Sequence, residues 1–236
     1  FFSLSISNKY KFYADPFILN ENIILEGLNK RTKKGDLLLI DLDTKSIKES
    51  FNYKGKHLSY PYTNKSLGKT FIYPDSGFLE NTIIFETKKN IFQEKSKIYS
   101  FSRGLVDPSV LEHEGLFFLF ANYLGEEQYI LRLWVASDPY FSDAKEHPKS
   151  PVRISPLGGR SGGRVFVFGK KIYRFGQDVS GEYGNGLILF EINSLTKENF
   201  CETAIASFKF KDSFKGPHNI NFSSNFITWD YYHERI

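Results

Sequence analysis

Two Asp-Pro dipeptides carry the first chemical suggestion in this chain. Asp15 sits in FYADPF (12–17) and Asp107 in LVDPSVL (105–111), each between apolar residues. An Asp before Pro ordinarily caps or starts a turn. The same apolar-Asp-Pro-apolar phrase, returning far along the chain, points instead to a repeated unit that brings two carboxylates to one site. Two carboxylates at the mouth of one channel suit general acid/base work on a sugar. His218, in GPHNIN (216–221), adds an imidazole that could act as an acid/base, ligate an ion or simply be hydrogen-bonded. Asp15, Asp107 and His218 are therefore the candidate catalytic residues. No close spacing of His, Cys and carboxylates specifies zinc, so no metal and no cofactor is expected.

A second set of residues could hold a ligand. Arg160 and Arg164 lie in GGRSGGRVF (158–166), and arginine presents a planar fork suited to phosphate or carboxylate. Gly158, Gly159, Gly162 and Gly163 would let a ligand approach the backbone closely. The same arginines could instead pair with Asp75, Asp107 or Asp178 and hold neighbouring repeats together. His57 and Tyr60 open HLSYPY (57–62), Asp75 sits in YPDSG (73–77), and Gln177 and Asp178 follow YRFG (173–176) at a strand end. Tyr60, Tyr62 and Tyr73 could stack on a sugar face or be ordinary strand aromatics. The candidate substrate-binding residues are His57, Tyr60, Asp75, Arg160, Arg164, Gln177 and Asp178, and the expected ligand is a sugar or sugar phosphate.

The elements that must position these residues are short and β-like. Runs such as FILNENIILEG (17–27), DLLLID (36–41), TFIY (70–73), TIIFE (82–86), KIYSF (97–101), GLFFLFA (115–121) and YILRLWVA (129–136) are broken by turn residues too often for helix. Further strands are expected at 46–53, 165–168, 171–175, 186–192, 201–210 and 226–229, with a Pro-rich loop at 138–151. A polar residue near Pro or Gly followed by three or four strands recurs about every 45–55 residues, the spacing of propeller blades. Five such starts fit an all-β, five-bladed β-propeller forming a single domain over 1–236, closed by an N-terminal strand at Phe1–Ile6. A β-sandwich with long loops is the other architecture.

Composition agrees with one large all-β domain of 236 residues, 41% hydrophobic and 17% aromatic, with 24 Phe and 14 Tyr favouring strands. A net charge of +4 is too mild to argue for nucleic acid. The Lys-rich stretches at 30–34 and 88–97 read as solvated loops. With only Cys201 there is no internal disulfide framework, and this residue reads as structural; a cytoplasmic location is expected. No apolar run approaches the roughly 20 residues of a membrane span, and no signal sequence is visible. The chain starts at Phe1 and has no Met, which suggests part of a longer protein with a fused or partner catalytic domain. Heavy use of Lys, Asn, Ile and Phe suggests an AT-rich, bacterial genome. Walker, dinucleotide and nucleophile-elbow motifs are missing. Trp134 alternates with apolar neighbours and reads as core, whereas Trp229 is open.

ADPF and VDPSV resemble the family 43 glycoside hydrolases, five-bladed propellers that act on furanosides and xylosides. That resemblance implies that Asp15 is a general base and that Asp107 orients an acid and tunes its pKa. The ordered set ADPF, HLSYPY, YPDSG, LVDPSV with GLFFLFA, HPKSPV, RSGGRVF, YRFGQD and PHNIN is more closely similar to the N-terminal domain of glucosamine inositolphosphorylceramide transferase proteins and their bacterial relatives. It covers essentially the whole chain. It implies a role in glycan or polysaccharide biosynthesis, recognising or transferring a sugar from a phosphorylated or nucleotide-linked substrate. A non-catalytic carbohydrate-binding module beside a catalytic domain is the alternative. The hydrolase pattern fails at one point. No carboxylate lies between Pro151 and Gln177, where the hydrolases present their acid Glu, and Glu182 in a Gly-rich loop is a poor substitute. Simple glycoside hydrolysis is therefore disfavoured.

Overall fold

The computed structural model describes residues 4–88, 91–98, 101, 103–181, 184–210 and 214–233, and among them there is no helix. Four antiparallel sheets follow one another along the chain. The first contains β1 (Tyr10–Leu19), β2 (Asn22–Asn29), β3 (Gly35–Asp41) and β4 (Ile47–Phe51). The second contains β5 (Ser59–Ser66), β6 (Lys69–Asp75), β7 (Thr82–Lys88) and β8 (Ile91–Ile98). In the third, β9 (Leu105–His113), β10 (Leu116–Tyr123) and β11 (Ile130–Ala136) are edged by two-residue strands β12 (Lys145–Glu146) and β13 (Arg153–Ile154), both paired to β11. The fourth contains β14 (Leu157–Phe168), β15 (Lys171–Asp178), β16 (Leu187–Leu195) and β17 (Phe200–Phe208). Short pieces β18 (Phe214–Lys215), β19 (Ile220–Phe222), β20 (Ile227–Trp229) and β21 (Tyr232–His233) end the chain.

Each sheet begins with the strand nearest the centre. β1 packs on β5, β5 on β9, and β9 on β14, the arrangement of propeller blades. Stacked sheets cover one another's faces, so their strands carry near-continuous apolar runs instead of clean alternation. In β2 and β3, Ile24, Leu37 and Leu39 enter the large core shared by the first three sheets, while Ile23, Leu25, Leu38 and Ile40 fill a separate cluster on the opposite face. Leu111, Phe118, Phe120, Leu133, Val165 and Ile172 join the third sheet to the fourth. Each such side chain removed from water contributes about 1.5–3 kcal/mol. Register is pinned by tight hairpins: Leu67-Gly68 and Glu114-Gly115 both hold two consecutive residues at positive φ, as type I′ turns require.

The expected sequence of short strands is largely present, with four differences. Among the described residues four sheets are complete, and where a fifth was expected β19–β20 is a hairpin whose Ile220 bridges Gly163 of β14 in parallel. Its Asn221 and Thr228 side chains donate to the Pro16 carbonyl of β1. The anticipated N-terminal strand does not form over 4–7, and residues 1–3 lie outside those described. The stretch expected as a solvated Lys-rich loop contains β8, because its partner β7 offers a free edge. RSGG (160–163), the expected opening of a fourth repeat ahead of a strand at 165–168, lies inside the long β14.

Candidate functional site

The innermost strands share a backbone device. Asp15 (φ 50°), Tyr60 (φ 43°) and Asp107 (φ 48°) are each left-handed, each precede a proline, and each sit at a break in the register of β1, β5 or β9. The matching break in β14 contains Gly163 at φ 129°. Such bulges re-aim a side chain and bend the strand. Left-handed backbone at a non-glycine residue costs on the order of 1–3 kcal/mol and persists only where its surroundings hold it. Asp tolerates the conformation better than a bulky residue such as Tyr.

At one end of the channel these strands frame a pocket of about 410 Å³, lined by Asp15, Glu26, His57, Ser59, Asp75, Asp107, Asn122, Gln128 and Arg160 among others. Asp107 and Asp15 both reach it, as their echo in the sequence suggested. Asp107 Oδ2 accepts from Arg160 Nε at 2.5 Å and from Gln177 Nε2 at 3.1 Å, and Arg160 also reaches Gln128. Gln177 is itself buried and donates to the Ser161 carbonyl, so it positions Asp107 instead of lining the rim. Asp75 takes the Gly77 amide, and burial together with the neighbouring Asp107 charge raises its pKa to about 7.

His218 stands between two carboxylates, with Nε2 3.2 Å from Asp15 Oδ1 and Nδ1 3.0 Å from Asp230 Oδ1. Burial alone would lower its pKa, but Asp230 and Asp15 outweigh it and hold the ring well above the ordinary value. Burial pushes Asp15 up as well, with His218 pulling the other way. Both ring nitrogens face carboxylates, and only an imidazolium donates from both, so the charged ring is the state the geometry supports. Asp230 is the hub of this corner, since it also accepts the backbone N–H groups of Asp15, His218 and Asn219. One atom each from Asp15, His218 and Asp230 lie within 4.8 Å of one another, a group that could hold a metal ion. An ion bound to the ring would have to replace one of its protons.

The other predicted contacts go elsewhere. Tyr60 is fully buried, takes the Gly163 N–H on its hydroxyl and meets Ser109; no ring face is open to a sugar. Tyr62 and Tyr73 are likewise buried, bonded to the carbonyls of Val110 and Pro139. Arg164 lies four residues along β14 from Arg160, about 13 Å at strand rise. It lies over the Tyr62 ring, donates to Thr63, and lines a different concavity beside Glu112. Asp178 organises its own loop through Ser180 and Asn185 and pairs with Lys209, which keeps its pKa low against a burial effect of opposite sign. His57 does line the pocket; its Nδ1 accepts the Gly35 N–H, and burial lowers its pKa. Trp134 is core, Trp229 is half-buried, and Cys201 is exposed on β17, not packed inside. Glu182 lies outside the described residues.

Sequence reasoning missed Glu26, Asn122 and Asp230. Glu26 had a signal: it is a lone carboxylate inside IILEG, an apolar run whose two faces must both be covered. Burial, reinforced by Asp15 and Asp75, raises its pKa well above the usual carboxylate range. Two acceptor atoms on the pocket wall, Glu26 Oε1 and Asn122 Oδ1, are buried without a hydrogen-bond partner.

Residues 4–226 match the family model described as "Glucosamine inositolphosphorylceramide transferase 1, N-terminal". The chain belongs to this family. Among its relatives, a rice (Oryza sativa subsp. japonica) glucosamine inositolphosphorylceramide transferase 1 is 29% identical over 82% of this chain and 28% of its own length. The Arabidopsis thaliana protein of the same name is 26% identical over 87% of this chain and 29% of its own. The chain thus spans under a third of these relatives. Both are plant proteins, which counts against the bacterial origin read from composition, although identities this low do not fix a source. Among solved structures, a family 43 glycoside hydrolase from Xanthomonas citri complexed with xylotriose superposes with a TM-score of 0.58 at 12% identity, covering 97% of this chain and 82% of that one. A family 117 glycoside hydrolase from Zobellia galactanivorans gives 0.54 at 12% identity, covering 84% and 69%. These likenesses establish the propeller-like fold.

Proposed function

We propose that this chain is a sugar-recognising propeller domain in glycan biosynthesis, its ligand seated in the acidic pocket. The observation that carries the reading is the pair of partnerless acceptors, Glu26 Oε1 and Asn122 Oδ1, on a wall shared with Asp15, Asp75 and Asp107. Buried acceptors without donors are unfavourable until something supplies them. A sugar supplies hydroxyl donors; a phosphate brings acceptors and negative charge. Any phosphate or nucleotide linked to the sugar therefore belongs outside the acidic wall, and the one arginine of the pocket, Arg160, is already engaged by Asp107.

Recognition is favoured over transfer by the same geometry. Asp15 faces an imidazolium and Asp107 a guanidinium, so neither is a free base, and β14 brings no carboxylate. The group-transfer chemistry is assigned to a fused or partner domain. In this reading β19–β20 is the inner part of a fifth blade. Calorimetric titration of the chain with monosaccharides, nucleotide-sugars and inorganic phosphate, with product analysis of each mixture, tests the reading. Sugar binding without turnover is expected; turnover, or a preference for phosphate over every sugar, would overturn it.

A further inference from the structure

The far ends of β5, β9 and β14 enclose a second concavity of about 480 Å³, lined by Asn64, Lys65, Glu112, Glu114 and Arg164 among others. Nearer their starts, the same strands bring Ser59, Asp107 and Arg160 to the acidic pocket. Between the two levels the Tyr60 hydroxyl takes the Gly163 N–H at 2.8 Å, so the concavities lie at opposite ends of the channel with a closure between them. The acidic wall presents buried acceptors without donors. The far end presents the reverse: Arg164 Nε and Asn64 Nδ2 are buried donors without an acceptor. Arg164 is half-buried, lies over the Tyr62 ring and donates through Nη2 to the Thr63 carbonyl and hydroxyl. Among the described residues no carboxylate stands within ion-pair distance of it. Neutral partners thus hold a guanidinium with one N–H unmet, an unfavourable state until an acceptor arrives. Lys65, exposed on the same wall, adds a second cation.

The remaining charges on this wall decide which acceptor fits. Glu112, whose Oε2 accepts from Ser66 Oγ at 2.7 Å, and Glu114, whose side chain is 73% exposed, both oppose an anion. Their repulsion grows with each negative charge a ligand carries, so it weighs about twice as heavily on a phosphate dianion as on a carboxylate. Leu111, Phe166 and Val167, the last 52% exposed, supply apolar surface beside the donors. We propose that this concavity is a second ligand site, taking a small monocarboxylate with an apolar body whose oxygens accept from Arg164 Nε and Asn64 Nδ2. The planar guanidinium suits a planar carboxylate. The site is separate from the acidic pocket and does not depend on the sugar reading. It gives Arg164 the anion contact its residue type suggested, at the end of the channel remote from Arg160.

The test titrates the full isotope-labelled chain at neutral pH with benzoate, its neutral counterpart benzamide, and inorganic phosphate, following backbone amide and arginine Nε–H signals by NMR. The Arg164 Nε–H signal is identified by its absence in Arg164→Lys. Benzoate is expected to bind saturably, to move that signal together with the amides of Asn64 and Lys65, and to bind on the order of tenfold tighter than benzamide or phosphate. Arg164→Lys keeps the charge but loses the planar fork, and Asn64→Asp sets a carboxylate against the ligand's own. Each should weaken benzoate by on the order of tenfold and leave benzamide within about twofold. If Arg164→Lys does not melt cooperatively, Asn64→Asp and the wild-type selectivity decide. Equal affinity for benzoate and benzamide, tighter binding of phosphate, or shifts confined to the acidic pocket would each overturn the assignment. So would unchanged benzoate affinity in Asn64→Asp, or no saturable binding of benzoate at all. None of these outcomes bears on sugar binding at the acidic end.

Discussion

The first and third sheets differ instructively from the second and fourth at one repeated position. β1 and β9 place Asp15 and Asp107 in a left-handed pre-proline conformation, and both side chains reach the pocket. β5 adopts the same backbone at Tyr60, yet its side chain is fully buried and its hydroxyl takes the Gly163 N–H at 2.8 Å across the channel. β14 has Gly163 itself, with no side chain at all. One backbone device therefore does two jobs. It presents charge to the pocket on alternate sheets, and it closes the channel between the others. The repeat fixes where a side chain points; only the residue type decides whether the position is chemical or structural.

The largest break in that comparison is Gly163→Ala. A Cβ there would meet the Ile220 carbonyl oxygen at 2.0 Å, at a φ of 129° that side chains rarely adopt. The loss should be about 4 kcal/mol or more, seen as a much lowered melting temperature or no cooperative melt by circular dichroism. Gly169→Ala, at positive φ but with nothing within 4 Å, should cost only about 1 kcal/mol. Similar losses for the two would mean that Gly163 is needed for its conformation alone and not for its close approach to β19.

A sharper contrast sets Tyr60→Phe against Asp15→Asn. Tyr60→Phe leaves the Gly163 N–H buried without its acceptor and should cost about 2 kcal/mol. For a chain of this size that is a melting shift of roughly 4–8 °C, with sugar affinity unchanged. Asp15→Asn keeps an oxygen for His218 and should fold, while weakening sugar binding by on the order of tenfold. Tyr60→Phe weakening binding as much as Asp15→Asn would erase the distinction between the two positions.

How much of this was legible beforehand follows from the same device. The Asp-Pro phrase marked Asp15 and Asp107 because proline restricts its predecessor and shows in the sequence. Tyr60-Pro61 carries the same mark, but nothing local says that its ring points inward to a partner 103 residues away. Strand positions were readable from apolar runs and turn residues such as Leu67-Gly68 and Glu114-Gly115. Arg160 and Arg164 looked equivalent in the sequence, yet the irregular register of β14 between Ser161 and Val165 sends them to different concavities. Glu26 and Asp230 acquire their roles only from long-range contacts, so no spacing rule announces them.

The finest probe of the comparison is pH, because the Asp15 corner depends on a proton and the Tyr60 corner does not at neutral pH. His218 holds its proton to a higher pH when folded, near Asp230 and Asp15, than the 6.5 of an ordinary imidazole. Between those two values the native state carries a proton that the unfolded chain has released, so raising the pH through this interval withdraws stability. The contribution is complete below 6.5 and lost once the folded ring deprotonates. Tyr60 is buried and its pKa lies well above 10, so it stays neutral throughout. Asp75, raised from 3.8 to about 7, finishes most of its own contribution before this window opens. Melting temperature should therefore fall by a few degrees from pH 7 to pH 9 in the wild type and in Tyr60→Phe alike. In His218→Gln the pH 7 value should already be lower and the slope over that interval shallower. An unchanged slope in His218→Gln would place the titrating proton elsewhere in the pocket, with Glu26 the next group to test, since its raised pKa gives stability the same sign of dependence.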